Sequence, residues 1–330
     1  MKLYDVAVVG ATGLVGRKII QVLEERNFPV GSLRLYASEK SLGKEIFFQN
    51  RLVKVELLSP KDFHAHEFVF FAAGAKVSKE FAPIAAKAGA IVIDNSSAFR
   101  MEKNIPLVVP EVNPLALLHH NNIIANPNCS TIQMVVALKP LHDKYKIKRI
   151  VITTFQSVAG AGQKGIDQLD DELQSIPVRY KKFPHRIAHN ILPQVDDFVF
   201  DGYTKEEHKM VNETKKIMGD AMIQVSVTCT RVPVYLGHSE SVNVEFKKKI
   251  DVDEARNILR KEKGIIVVDE PEGNYYPIAL MCHDKDEVFV GRIRKDETVK
   301  SGLNMWIVAD NVRKGAATNA VQIAEELIKV

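Results

Sequence analysis

Cysteine is scarce in this 330-residue sequence: Cys129, Cys229 and Cys282 are odd in number and far apart. Three scattered thiols make no disulfide framework, and no Cys-x-x-Cys pair marks a zinc site. Free thiols suit a reducing cytoplasm, which is the expected compartment. Long apolar runs are also missing. None reaches the ~20 residues of a membrane span, and the opening Met1-Lys2-Leu3-Tyr4-Asp5 has no signal-peptide pattern. Neither sign of charge dominates: 45 Lys and Arg against 41 Asp and Glu leave a formal +4. That excess is too small and too dispersed for nucleic acid, but it suits acidic small molecules. The run Lys247-Lys248-Lys249 reads as a solvated strand edge. No group of His, Cys and Asp has metal-ligand spacing, so no metal is expected.

What remains is ordinary globular composition, 46% hydrophobic and 26% charged, which argues against a disordered chain. A length of 330 residues exceeds one comfortable core and predicts two domains. In the first half, short apolar runs at Val6–Val9, Leu33–Ala37, Phe68–Ala72 and Ile91–Asp94 read as strands. They alternate with helical patterns at Leu14–Arg26 and Val77–Ala88. Strands alternating with helices predict a parallel, Rossmann-like α/β domain over residues 1–128. In the second half, Val151–Phe155, Gln224–Thr230, Ser241–Phe246, Val288–Arg294 and Met305–Val308 read as strands with fewer helices between them. The expectation for 129–311 is an α+β domain with a mixed, largely antiparallel sheet covered by helices. A last helix, within 312–330, is expected to return to the first domain.

Gly10-Ala11-Thr12-Gly13-Leu14-Val15-Gly16 follows a strand and opens a helix. Glycine permits the tight turn, and the helix N-terminus offers N–H groups and partial positive charge to a pyrophosphate. At the end of the second strand, an acidic residue would hold a free ribose. Here the chain reads Ala37-Ser38-Glu39-Lys40-Ser41. Ser38, Lys40 and Ser41 suit a ribose 2′-phosphate and favour NADP; Glu39 is the group that would instead hold a free ribose.

Asn126-Pro127-Asn128-Cys129-Ser130-Thr131 precedes a helical pattern from Ser130 to His142. With Asn128 as the cap, Cys129 stands at a helix N-terminus, where the dipole stabilises a thiolate and free N–H groups can hold an oxyanion. Most free cysteines are merely small buried hydrophobes, and that reading suffices for Cys229 and Cys282.

Over nearly its whole length the chain resembles the aspartate-semialdehyde dehydrogenase family. The resemblance rests on the order of the Gly10 loop, Ser96-Ser97-Ala98-Phe99-Arg100, Asn128-Cys129-Ser130-Thr131, Gln156, Gly160-Ala161-Gly162 and the segment Arg231–His238. It implies NADPH-dependent conversion of L-aspartyl 4-phosphate to L-aspartate 4-semialdehyde and phosphate, through a thioester on Cys129. The activity would serve lysine, threonine, methionine and diaminopimelate biosynthesis. It also implies a homodimer built on the second domain, with neither a nucleic-acid nor a membrane partner.

Residue by residue, His238 matches the family's acid/base, and Gln156 the residue that orients the acyl group. Arg231 would grip the substrate α-carboxylate in a bidentate fork. Glu213 and Lys216, three apart on a helix after Tyr203, would meet the ammonium and the phosphate; as a surface ion pair they would mean little. Lys215 competes with Lys216 for that assignment. Arg100 would be the other phosphate ligand, and Asn128, beside the nucleophile, is expected among the substrate-binding residues. Expected cofactor contacts are Gly10, Thr12, Gly13, Leu14, Val15 and Gly74, with Ser38, Lys40 and Ser41 at the ribose. Gly160, Gly162 and Asn311 complete them near the nicotinamide.

Three rival readings exist. An N-acetyl-glutamyl phosphate reductase would have no use for Glu213. A non-catalytic nucleotide binder would lack the full set Cys129, Gln156 and His238. A cysteine hydrolase leaves the glycine loop and Arg100 unexplained.

Overall fold

The computed structural model describes residues 2–329. The chain divides into two units, Met1–Pro127 with Ala316–Val330, and Asn128–Gly315. Residues 312–315, expected with the first unit, belong to the second.

The first unit runs β1 (Tyr4–Val9), α1 (Leu14–Glu25), β2 (Val30–Ala37), β3 (Glu45–Phe48), β4 (Arg51–Leu57), β5 (Phe68–Phe71), α2 (Ala75–Lys87), β6 (Ile91–Asp94) and β7 (Ile123–Ala125). The sheet order is β3-β4-β2-β1-β5-β6-β7, parallel except for the β3–β4 pair. Its central strands are buried on both faces, which is why they read as unbroken apolar runs. Alternate residues serve opposite faces. Val6, Val8, Phe68 and Phe70 join a core with Ile19 and Leu23 of α1 and with Ala320, Val321 and Ala324 of the C-terminal helix, Thr318–Ile328. Ala7, Val9, Val69 and Phe71 pack with Ala82 and Ala85 of α2. Each fully buried aromatic or large aliphatic side chain contributes roughly 1.5–3 kcal/mol.

The second unit runs α3 (Cys129–Tyr145), β8 (Ile147–Gln156), α4 (Gln163–Leu173), α5 (Lys205–Met218), β9 (Gln224–Arg231), β10 (His238–Phe246), α6 (Val252–Lys261), β11 (Ile265–Val267), α7 (Ala279–Cys282), β12 (Val288–Lys295) and β13 (Gly302–Ala309). Its sheet order is β11-β12-β13-β10-β8-β9. The three inner pairs are antiparallel and the two outer pairs parallel, so the sheet is mixed. α3 packs across β8, β10, β12 and β13, and α5 lies against α3 and β9. The strand read as Ser241–Phe246 begins three residues earlier, so His238 is its first residue and does not precede it. Among the described residues no helix is long and apolar enough to cross a membrane.

Candidate active site

Asn128 has extended backbone (φ −63°, ψ 142°), and its Oδ1 accepts from the N–H groups of Ser130 and Thr131. The distances are 3.0 and 3.3 Å. This is an N-cap, and it makes Cys129 the first residue of α3, where the helix dipole favours negative charge. Cys129 is half-buried, whereas Cys229 and Cys282 are buried. Burial pushes the Cys282 thiol up to about 12 and the Cys229 thiol higher still. Cys129 is therefore the accessible thiol of the three. A side chain at Gly315 would stand 2.8 Å from Cys129 Cβ, so glycine there leaves the thiol-bearing residue its room.

Two carboxylates of α5 hold the Asn128 cap. Its backbone N–H donates to Glu213 Oε2 (2.7 Å) and its side-chain Nδ2 donates to Glu206 Oε1 (2.7 Å). Glu206 Oε1 also accepts from Gln156 Nε2 at 3.4 Å, while Glu206 Oε2 pairs with Lys209 at 3.1 Å. Lys209 in turn meets Asp196 at 2.6 Å. Thr204 and Glu207 form a reciprocal capping box that fixes where α5 begins. Lys216 and its competitor Lys215 are both half-buried on the same helix.

Gln156 and Arg231 are register partners at the ends of β8 and β9. Arg231 is 5% exposed and donates from Nη1 to the Ser157 carbonyl at 2.7 Å. Its guanidinium lies 5.8 Å from the Phe183 ring centroid, a cation–π distance. Burial lowers its pKa, with Glu206 and Cys129 acting against that; arginine keeps its charge. A Cβ on Gly160 would fall 2.7 Å from Arg231 Nη1 and 3.1 Å from His238 Nε2. Glycine thus leaves both groups open from one side. Gly162 has φ +77° and begins α4, a backbone that side-chain-bearing residues rarely adopt.

His238 is fully buried. Its Nδ1 accepts the Ser157 backbone N–H at 3.1 Å, and its Nε2 has no hydrogen-bond partner among the described residues. Burial first, then Arg231, holds its pKa well below the usual histidine value. At neutral pH the ring is uncharged, with its proton on Nε2. Asn311, expected near the nicotinamide, has Oδ1 engaged by Gly237 N–H and Ser157 Oγ–H, each at 3.0 Å. Only its Nδ2 is left to meet a ligand. A cavity of about 610 Å³ in this unit is lined by Arg231 and Lys209 together with Glu206, Asp196 and Gly160. Charges of both signs in one cavity suit a zwitterion.

In the first unit, Gly10 has φ +86°, and a Cβ there would meet the Ala72 backbone at 2.7 Å. At Gly16 a Cβ would lie 2.2 Å from the Gly10 carbonyl oxygen, so the third glycine lets α1 pack on the loop. Gly13 caps α1 without a side-chain hydrogen bond, and no acidic residue occupies the first turn, which starts with Leu14 and Val15. That turn is fit to receive a phosphate. Thr12 Oγ1 donates to Ser41 Oγ at 3.1 Å and ties the loop to the turn after β2. Ser38, Glu39 and Lys40 of that turn are exposed. Gly74, φ +87°, opens α2. Arg100 is 8% exposed and donates from Nη2 to the Asn95 carbonyl at 3.0 Å.

The chain matches two family models, semialdehyde dehydrogenase, NAD binding domain over residues 5–120, and semialdehyde dehydrogenase, dimerisation domain over 138–314. It is 55% identical to an aspartate-semialdehyde dehydrogenase of Aquifex aeolicus, covering 99% of this chain and 98% of that one. The chain belongs to the aspartate-semialdehyde dehydrogenase family. Aspartate-semialdehyde dehydrogenase II of Vibrio cholerae, solved in complex with ASA, superposes at TM-score 0.96 with 49% identity, over 100% of this chain and 99% of that one. The Candida albicans aspartate-semialdehyde dehydrogenase, solved with NADP, gives TM-score 0.79 at 27% identity, over 99% of both chains.

Three residues around the dehydrogenase site escaped the sequence reading. Glu206 and Lys209 lie seven and four residues before Glu213, on one helix face, and that spacing was the available signal. Ser157 follows Gln156 directly, but its contacts with His238 and Asn311 bridge distant positions in the sequence. Outside this site, His283, Asp284 and Asp310 bring potential metal-ligating atoms within 4.8 Å of one another. Asp310 there already accepts from the backbone N–H groups of Asp284, Val312 and Arg313.

Proposed function

We propose that this family member reduces L-aspartyl 4-phosphate to L-aspartate 4-semialdehyde with NADPH, releasing phosphate, through a thioester on Cys129. The observation that carries this reading is the accessible Cys129 at the head of α3, in the unit where Arg231 and His238 flank Gly160. The Cys129 thiolate attacks the acyl-phosphate carbonyl carbon, an S–C bond forms, and the C–O bond to phosphate breaks. When bound, the nicotinamide supplies a hydride to the thioester carbon. His238 gives a proton to the oxygen as the thiohemiacetal forms, and takes it back as the C–S bond breaks and the thiolate is restored. First-turn N–H groups of α3 stabilise negative charge on that oxygen.

Arg231 grips the α-carboxylate, Glu213 meets the ammonium, and Gln156 orients the acyl group. Arg100 and Lys216 take the phosphate. Ser38, Lys40 and Ser41 receive the ribose 2′-phosphate, with Glu39 as the rival contact for a free ribose. Gly10, Thr12, Gly13, Leu14, Val15 and Gly74 cradle the rest of the dinucleotide. The NADP complex of the Candida relative and the ASA complex of the Vibrio relative support cofactor and substrate. The dimerisation-domain match supports a homodimer built on the second unit. A free catalytic thiol suits a reducing cytoplasm.

The test follows NADPH absorbance with purified enzyme, L-aspartate semialdehyde, phosphate and NADP⁺, in parallel with NAD⁺ and with N-acetyl-glutamate semialdehyde. Phosphate-dependent reduction of NADP⁺ with the free amino aldehyde alone is the expected result. Activity only with the acetylated aldehyde would overturn the substrate reading.

A further inference from the structure

An imidazole nitrogen either donates or accepts a hydrogen bond, according to where its protons sit. Ser157 offers Nδ1 of His238 both complements: a backbone N–H at 3.1 Å and Oγ at 3.2 Å. The direction of the second contact is set further out. Gly237 N–H donates to Asn311 Oδ1, which fixes the orientation of that amide. Ser157 Oγ–H donates to the same Oδ1, so the lone pairs of the hydroxyl are left for the ring. Ser157 and His238 are fully buried and Asn311 nearly so, which leaves little room for water to substitute for any of them.

We propose that Ser157 is a positioning residue that follows the proton on His238. Its N–H holds the resting Nε2–H ring, and its Oγ, polarised by Asn311, holds the forms with a proton on Nδ1. The inference rests on His238 being the acid/base of the proposed reaction. The resting Nε2–H ring first takes a second proton from solvent at Nδ1; that cation gives its Nε2 proton to the substrate oxygen and becomes the neutral Nδ1–H form, and taking the proton back restores the cation. Both forms carry Nδ1–H, and both need the Ser157 acceptor. Without Oγ the ring stays in the Nε2–H form, which cannot take a proton at the atom facing Gly160.

The charged group that bears on the ring is Arg231 from β9. Glu240, two residues on along β10, is kept neutral by burial, as is the Cys282 thiol of α7 beside Gly237. α3 presents the uncharged Gln133, which donates to the His238 carbonyl at 3.3 Å. At the end of β13, Asp310 adjoins Asn311 and bonds backbone N–H groups. None of these offers Nδ1 an acceptor.

The experiment compares Ser157→Ala and Ser157→Thr with wild type in the full enzyme, by the pH dependence of kcat and by ¹⁵N imidazole shifts of labelled histidine. The His238 signal is assigned by its loss in His238→Ala. In Ser157→Ala, kcat is expected to fall about tenfold, and the limb belonging to His238 to move to lower pH by about 0.5–1 unit, one neutral hydrogen bond. The ¹⁵N shifts should still report Nε2–H alone in Ser157→Ala at pH values where the wild-type ring has also gained a proton on Nδ1, and threonine should restore both the limb and the shifts. Wild-type shifts and an unmoved limb in Ser157→Ala would overturn the proposal. Full turnover in His238→Ala would instead remove the acid/base reading, while the ¹⁵N shifts would still decide whether Ser157 governs the tautomer.

Discussion

The Asn128 side-chain amide donates to Glu206 Oε1 at 2.7 Å, and this one contact orients the cap of α3, the helix that Cys129 begins. With Nδ2 held by a carboxylate, Oδ1 faces the Ser130 and Thr131 N–H groups. The same carboxylate oxygen receives Gln156 Nε2, so one side chain holds both Asn128 and Gln156, which the proposed reaction places beside the reacting carbon. Glu206→Ala is expected to lower kcat on the order of tenfold to a hundredfold, with NADPH affinity kept. Steady-state kinetics beside a nucleotide titration check this, and an unchanged kcat would remove Glu206 from the positioning machinery.

Arg231 is a buried guanidinium in a cavity of mixed charge. Arg231→Leu removes the guanidinium proposed to grip the substrate carboxylate. The expected effect is a rise in KM for the semialdehyde of about 10- to 100-fold, from the loss of charge-assisted hydrogen bonds of ~1.5–3 kcal/mol. An unchanged KM would place the carboxylate elsewhere.

Gly160 carries a tighter constraint than its backbone suggests. A methyl group there meets Arg231 Nη1 at 2.7 Å and His238 Nε2 at 3.1 Å. Gly160→Ala should fold with near wild-type thermal stability yet lose at least about tenfold in kcat/KM, because it displaces the two groups proposed to meet the substrate. Full activity would show that neither side chain is approached from that side.

Glu240 is fully buried two residues along β10 from His238, with the Gln133 side chain acting on it and neither carboxylate oxygen in a well-formed hydrogen bond among the described residues. Burial raises its pKa well above the carboxylate range. A raised folded-state pKa means the unfolded chain loses this proton first. The contribution to stability is whole below the unfolded value, about 4.5, and is lost as pH rises through the folded one. Glu240→Gln, which imitates the neutral acid, should therefore raise Tm at pH 8 relative to wild type and change it little near pH 4. Equal Tm differences at both values would contradict a buried neutral acid.

Much of this was legible in the sequence because local chemistry announced it. The Asn128-Cys129 step reads as a cap because only side chains such as asparagine satisfy the first N–H groups of a helix. The parallel sheet of the first unit showed itself through apolar runs buried on both faces. The β3–β4 hairpin did not, since its turn is Gln49-Asn50 at φ +45° and +62°, without glycine, and its Phe47 and Leu52 are exposed. α6 was missed although Asp251 caps it by accepting Glu254 N–H at 2.9 Å; its face is mostly polar. Glu206 and Ser157 act only through contacts that folding creates.

The most direct test of the thioester mixes enzyme with L-aspartate semialdehyde and NADP⁺ in the absence of phosphate, reading NADPH absorbance and the intact mass together. The expected result is a burst of one NADPH per active site and a single aspartyl adduct mapped to Cys129, discharged when phosphate is added and missing in Cys129→Ala. Steady phosphate-dependent turnover with no adduct, or turnover retained in Cys129→Ala, would contradict a covalent intermediate on this cysteine.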